Sequence, residues 1–191
     1  LANPILTWER MKISNIGLDF SLFDRNIYGN IDAFYRLRDG IPGTRVNSLP
    51  STFGAALPQE NLNSIDTRGF EFMLGTSGKS GDFSYDVSGN ISWNRSKWVR
   101  FDEPDYTDPD QKRISQLTGQ WIDRQFGYVS DKLFSSQDEI SKLKVTYKDL
   151  VSNDILRPGD IKYIDLNYDS ILDWKDQREI GSGSMPHWMF G

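Results

Sequence analysis

Asp165, Asn167, Asp169, Ile171, Asp173 and Asp176 stand at positions one, three, five, seven, nine and twelve of a single twelve-residue stretch, Asp165-Leu166-Asn167-Tyr168-Asp169-Ser170-Ile171-Leu172-Asp173-Trp174-Lys175-Asp176. That order matches the EF-hand loop, which wraps about six to eight oxygens around Ca²⁺, a hard cation that takes oxygen ligands. Asp165, Asn167, Asp169 and Asp176 would bind through side chains, Ile171 through its carbonyl, and Asp173 directly or through water. Aspartate at position twelve is shorter than the usual glutamate, and Ser170 occupies position six, where glycine normally makes the sharp turn. A residue with a Cβ adopts the left-handed backbone only at a cost. The expectation is a structural Ca²⁺ that holds a long loop in shape without taking part in catalysis, set against the plainer reading of a solvated acidic loop.

Other residues capable of chemistry are sparse. His187 is the only histidine, so a Ser-His-Asp triad or a multi-histidine zinc site would have to use it. It sits between Pro186 and Trp188 at a strand entrance, where a packing or interfacial role is the simpler expectation. The carboxylate pairs Asp102–Glu103 and Asp108/Asp110 lie in a Pro-containing stretch with nothing apolar to raise a pKa, which makes them solvated charge rather than acid–base catalysts. Trp98, Tyr106, Trp121, Phe126 and Tyr128 could stack on sugar rings, or could pack a loop onto itself. No catalytic residue is assigned, and the chain is not expected to be an enzyme.

The totals narrow the class. The chain has 191 residues, no cysteine and a net charge of −5 with its cations scattered, which removes thiolate chemistry and argues against nucleic acid as a partner. No run approaches the roughly 18 to 20 apolar residues of a spanning helix, so any membrane role requires strands. Aromatic residues make up 13% of the chain, which suits either a membrane interface or a carbohydrate-binding surface. Leu1-Ala2-Asn3-Pro4 carries no secretory signal pattern, so the expectation is either a protein that is not exported or a chain that begins inside a longer one.

The elements that must position these residues read as strands. Apolar and polar residues alternate at a period of two, which turns successive side chains to opposite faces of a sheet. The clearest case is Phe83-Ser84-Tyr85-Asp86-Val87-Ser88-Gly89-Asn90-Ile91-Ser92-Trp93-Asn94, whose apolar members share one face. Ile16, Leu18, Phe20 and Leu22 do the same, as do Ile27, Gly29, Ile31, Ala33 and Tyr35, and then Phe70, Phe72 and Leu74. These patterns predict strands over about 8–23, 27–37, 66–77 and 82–96, with a fifth opening at 185–191. Tight turns join the first pair and the second pair, whereas Pro- and Gly-rich stretches predict long loops over about 38–65 and 99–184. Within the second, Ser136 as cap, Glu139 three residues on, and Ile140, Leu143 and Val145 predict a helix inside 135–150.

Short turns alternating with long loops are the asymmetry of outer-membrane barrels, and four and a half strands cannot close one. The fold expected is therefore all-β, an antiparallel transmembrane β-barrel segment with two long extracellular loops. A β-sandwich meets the same alternation with a second sheet behind the first, as in a secreted, soluble carbohydrate-binding module with a structural calcium. A glycoside hydrolase fragment would further need a carboxylate pair held across a cleft.

Longer pieces of the chain bear on that choice. Asn3-Pro4-Ile5-Leu6-Thr7-Trp8-Glu9, Asn15-Ile16-Gly17-Leu18-Asp19-Phe20 and Gly29-Asn30-Ile31-Asp32-Ala33-Phe34-Tyr35 come first, then Leu49-Pro50-Ser51-Thr52, Asn61 and Thr67-Arg68-Gly69-Phe70-Glu71-Phe72. Gly119-Gln120, Phe126-Gly127-Tyr128-Val129, Pro158-Gly159-Asp160-Ile161-Lys162-Tyr163, Asp165-Leu166-Asn167 and Ile180-Gly181 complete the series. In order and spacing this chain resembles the late barrel of SusC/RagA-type TonB-dependent outer-membrane transporters, over essentially its whole length. It departs from them at Tyr168, where they usually carry glycine. The resemblance implies a location in the cell outer membrane and a 22-stranded barrel with an N-terminal plug that this sequence lacks. It also implies a SusD-like surface lipoprotein as lid, TonB contacted through the missing N-terminal part, and import of an oligosaccharide or peptide. Outer-membrane lipid would cover the apolar face.

Overall fold

In the computed structural model, residues 3–45, 57–150, 152–183 and 185–191 are described. In chain order the strands are β1 (Arg10–Leu22), β2 (Ile27–Thr44), β3 (Gln59–Ser80) and β4 (Phe83–Arg100), followed by helix α1 (Pro109–Ser115). Then come β5 (Arg124–Gly127), β6 (Ser130–Leu133), α2 (Gln137–Ser141), β7 (Thr146–Tyr147), β8 (Ile161–Tyr163), β9 (Ile171–Leu172), β10 (Arg178–Ser182) and β11 (Trp188–Phe190). The chain divides into two compact units, one of Leu1–Pro104, Leu117–Asp123 and Ser184–Gly191, the other of Asp105–Gln116 and Arg124–Gly183.

The first unit is one open antiparallel sheet in the order β1-β2-β3-β4-β11. Its hairpin turns follow from local chemistry. Phe23, Asp24 and Arg25 all take positive φ between β1 and β2, and Thr76 and Ser77 of the neighbouring strand fasten that turn by donating their hydroxyls to the carbonyls of Asn26 (2.8 Å) and Arg25 (3.0 Å). Between β3 and β4 only Gly81 and Asp82 intervene, with Gly81 at φ +62°, the conformation a two-residue turn demands and glycine supplies without a Cβ clash.

The alternation located the strands but understated the length of β2, β3 and β4, while β1 and β11 fall inside the 8–23 and 185–191 expected. β2 and β3 stay paired through Thr44↔Gln59, well inside the stretch read above as a loop over 38–65. Gly40, Pro42 and Gly43 are tolerated because register shifts between Asp39 and Ile41 and between Ile41 and Pro42 absorb them as bulges, with Gly40 at φ +73°. β3 likewise runs to Ser80 and β4 to Arg100, beyond the bounds of 77 and 96. Leu49-Pro50-Ser51-Thr52 lies outside the described residues.

The second unit gives the stretch read as a loop over 99–184 a structure of its own. It contains small two-stranded pairings, β10 with β5, β6 with β8 and the parallel β7 with β9. Phe134, Ile140, Tyr147, Leu156 and Leu172 form a buried cluster, with Tyr128, Leu143, Val145 and Tyr163 packed against it. The helix expected inside 135–150 is confined to α2. Ser136 does cap it, accepting from the amide of Glu139 (3.2 Å), but the chain then leaves the helix so that Leu143 and Val145 reach this cluster from a non-helical segment. Tertiary burial overrides the local helical signal.

Candidate functional site

Register decides which side chains share a face, because residues directly opposite in an antiparallel pair project to the same side. One face of the sheet carries the rows Ile16–Ala33–Phe70–Trp93–Trp188, Leu18–Ile31–Phe72–Ile91–Phe190, Phe20–Gly29–Leu74–Gly89 and Leu22–Ile27–Thr76–Val87. These rows are apolar and uncovered: Ile16 is 76% exposed, Leu18 62% and Val87 63%. Among the described residues every buried hydrophobic side chain belongs to the second unit, and none comes from the sheet. A sandwich would bury this face under a second sheet, whereas among the described residues these rows stay exposed.

The band has the dimensions of a bilayer core. From Phe83 to Trp93 the strand advances ten residues, roughly 33 Å at about 3.3 Å each, or about 25 Å of height at a tilt of about 40°. Aromatic side chains mark both edges. Phe70, Trp93 and Trp188 cluster at one, with ring centroids 5.8 to 6.3 Å apart, and Phe83 and Tyr85 stack at the other, at 6.4 Å. Tryptophan and tyrosine favour this level because their rings are apolar while their N–H and O–H groups reach water.

The opposite face is polar, with rows Gly17–Asp32–Glu71–Ser92 and Asp19–Asn30–Met73–Asn90. Phe34 lies over Gly69 and Tyr28 over Gly75, at distances a Cβ on either glycine would violate. The Tyr28 hydroxyl then donates to Asp86 (2.8 Å). Water or a polar occupant must meet this side, since Asp32 and Glu71 face each other directly in register.

Beyond the Trp93 row the apolar face turns cationic, a feature the linear sequence shows only as Arg95 and Lys97 continuing the period of Trp93. Arg95, Arg68 and Lys97 stand 4.6, 5.8 and 5.8 Å from the centroid of the Trp121 ring. Trp121 is brought there by a bridge to Lys97. Asp123 accepts from Arg95 (3.1 Å) and is in contact with Nε2 of His187, which accounts for the lone histidine as one member of a packed ion cluster.

The remaining candidates hold backbone in place. Asp108 caps α1 by accepting from the amides of Asp110 (2.8 Å) and Gln111 (3.3 Å), while Asp110 pairs with Arg113 (2.9 Å). Glu103 accepts from the amides of Leu117 (2.7 Å) and Thr118 (3.0 Å), and the amide of Asp102 donates to Asn63 (3.0 Å). Trp98 packs edge-on against Phe101, Tyr128 packs with Tyr163, Phe126 lies under Arg124, and the Tyr106 hydroxyl reaches the Ser115 carbonyl (3.4 Å).

The acidic loop is closed by its own carboxylates. Asp165 accepts from the amides of Tyr168 (2.8 Å) and Ser170 (2.8 Å), Asp169 from Ile171 (2.8 Å), and Asp173 from Lys175 (2.9 Å). Asp176, fully buried, accepts from Leu166 (2.9 Å), Asn167 (3.4 Å) and Asp173 (3.0 Å). Asn167 bridges to Asp169 through both ends of its amide. Tyr168 and Ser170, at positions four and six, take φ +62° and +65°, so the two non-glycine residues adopt the strained backbone that the spacing requires. Among the described residues no three carboxylate or imidazole groups converge to hold a metal ion. The carboxylate oxygens accept mainly from backbone amides of the loop.

Glu139 is the ionisable group most shifted in the second unit. The Ser135 amide (3.0 Å) and hydroxyl (2.8 Å), then Lys162 (3.1 Å) and Lys132 (3.2 Å), hold its pKa down at about 2, from an ordinary 4.5. A depressed carboxylate contributes stability that is complete above its unfolded pKa and is lost as pH falls through its folded one. Amide exchange in residues 132–163 should therefore accelerate as pH is lowered from about 4.5 towards 2, after correction for intrinsic exchange. Glu139→Gln should remove that window, and a variant that kept it would place the titration elsewhere.

Over residues 1–178 the sequence matches the family described as TonB dependent receptor-like, beta-barrel. It is 29% identical over 171 residues to the TonB-dependent receptor SusC of Bacteroides thetaiotaomicron, covering 85% of this chain and 17% of that protein. It is 24% identical over 194 residues to the TonB-dependent receptor P26 of Formosa agariphila, covering 100% of this chain and 19% of that protein. The structure of the RagAB peptide transporter superposes with a TM-score of 0.61 at 17% identity, covering 99% of this chain and 20% of that one, a likeness of fold. The chain thus spans between 17% and 20% of the length of these proteins.

Proposed function

The chain belongs to the TonB-dependent receptor β-barrel family, of SusC/RagA type, and from that premise we propose that it forms part of the wall of an outer-membrane nutrient importer. The observation that carries this reading is the uncovered apolar face, about 25 Å tall and edged by aromatic rows, on a sheet whose other face is polar. Lipid covers the first face, and the second lines the lumen or touches a plug. The short turns at residues 23–26 and 81–82 lie on the periplasmic side, and the segments following β2 and β4 lie outside the cell.

The proposed cargo is an oligosaccharide or peptide, driven inward by TonB acting on a plug encoded elsewhere in the full protein. A SusD-like surface lipoprotein serves as lid, docking on the external segments. The proposed role is transport, with no bond made or broken by this chain. To test this, the complete importer is tagged and purified from outer membranes. A surface lipoprotein should co-purify, and replacing residues 124–183 by a short linker should abolish both co-purification and TonB-dependent uptake while a heat-modifiable barrel still forms. Uptake that survives the replacement would overturn the assigned role of these segments.

For the loop at 165–176 calcium is a further proposal, supported by the ligand order and by the left-handed backbone at Tyr168 and Ser170. Each oxygen of Asp165 and Asp169 accepts one hydrogen bond, which leaves a lone pair on each for an ion.

A further inference from the structure

We propose that the outward face just above the upper aromatic row is a binding site for the phosphate headgroup of an anionic outer-leaflet lipid, formed by Arg68, Arg95 and Lys97 around Trp121. The inference rests on the reading of this sheet as a barrel wall facing the membrane.

Three observations converge. Arg68 and Arg95 pair with each other in register, two residues beyond Phe70 and Trp93 on the same face, which places their Cα atoms roughly 6.6 Å along the strands from the aromatic row. That is the level at which a headgroup sits when its acyl chains lie against Phe70, Trp93 and Ile91. Lys12 and Lys97 share the next row on this face.

The charge there is unbalanced. Three cations crowd one indole ring, at 4.6, 5.8 and 5.8 Å. Among the described residues two carboxylates answer them: Asp66 pairs with Arg68 at 2.5 Å, and Asp123 with Arg95 at 3.1 Å, while also contacting His187. Among the described residues one positive charge stays in excess on the ring. The Arg68 side chain remains 45% exposed on the outward side, so an incoming phosphate can reach it. Like charges held this close repel, and a phosphate placed between Arg68 and Lys97, which are diagonal neighbours across β3 and β4, would relieve the repulsion. The end of the sheet is also right: this edge is opposite the short turns, hence in the outer leaflet.

The occupant is a lipid rather than a soluble anion, because the cations are continuous with the apolar band and face away from the lumen. To test it, the complete importer is placed in nanodiscs of phosphatidylcholine doped with phosphatidic acid, and the lipids retained on transfer to detergent are counted by native mass spectrometry. The wild type should retain phosphatidic acid in preference to phosphatidylcholine. Arg68→Gln with Lys97→Gln should lower that preference about tenfold or more, and Lys97→Gln alone by a smaller factor. Lys79→Gln removes the same charge from the inner face near the short turn and should leave the preference intact. An unchanged preference in both the double and the Lys97→Gln variant would overturn the site, and so would displacement by soluble glycerol phosphate, which would assign the cations to a free anion. Insertion into nanodiscs without any lipid preference would count against this site alone. Failure of the wild type to insert would remove the barrel reading together with it.

Discussion

Val87→Arg, made in the complete importer, should destabilise the membrane-inserted barrel by about 2–4 kcal/mol, whereas Ser88→Arg one residue away should cost far less. Val87 stands in the outward row Leu22–Ile27–Thr76–Val87, between the aromatic edges at Tyr85 and Trp93. An arginine there must lose its hydration to hydrocarbon or bend away to the interface. Ser88 faces the polar side opposite Gly75, two residues from Asp86, where a guanidinium finds water and a carboxylate. Urea titration of folding into bilayers measures both variants. Equal losses at the two positions would mean that the faces are assigned wrongly, and a loss only at Ser88 would reverse them.

Asp176→Leu should unfold the loop at 165–176, at a cost on the order of 3 kcal/mol or more. Its carboxylate is fully buried and accepts from three backbone amides, those of Leu166, Asn167 and Asp173. Hydrogen bonds to a charged acceptor are individually worth about 1.5–3 kcal/mol, and leucine would leave the donors without a partner in a dry site. Asp176→Asn keeps one acceptor oxygen but turns an NH₂ towards an N–H donor, so an intermediate loss is expected. Hydrogen exchange at Leu166 and Asp173 reports the loop directly. Run in chelator, the experiment isolates the amide-capping role, and wild-type exchange in the variant would refute it. Run on the wild type with added Ca²⁺, it tests the proposed ion. A binding loop should be protected further as calcium rises, by a factor approaching 1 + [Ca²⁺]/Kd, and unchanged protection would leave the loop held by its own hydrogen bonds alone.

The two experiments address parts of the chain that differed in how openly the sequence displayed them. Strands β1 to β4 were legible because a pleated backbone converts a period of two into a face, and Phe83 to Trp93 shows that period with little interruption. Their ends were not, since Gly40, Pro42 and Gly43 are punctuation in a linear reading but become bulges once β3 pairs across them. The cluster of Phe134, Tyr147 and Leu172 joins residues far apart in the chain, and no local pattern announces it. Ser136 as a cap was legible, but Glu139 serves Ser135 and two lysines from other strands. The carboxylates of 165–176 stand out in the sequence by their spacing. Their observed partners are amides of the same loop, which spacing alone does not distinguish from a metal ion.

What the sequence by itself determined is which side chains stand together on a strand, because alternation is a property of the covalent backbone and needs no partner. Only the tertiary structure decided that the apolar rows of the sheet stay exposed among the described residues, that Arg68, Arg95 and Lys97 from two strands gather on Trp121 from a third segment, and that Asp176 is sealed from water. Those outcomes depend on register and on how the connecting segments close, and both are set by contacts between residues that lie tens of positions apart.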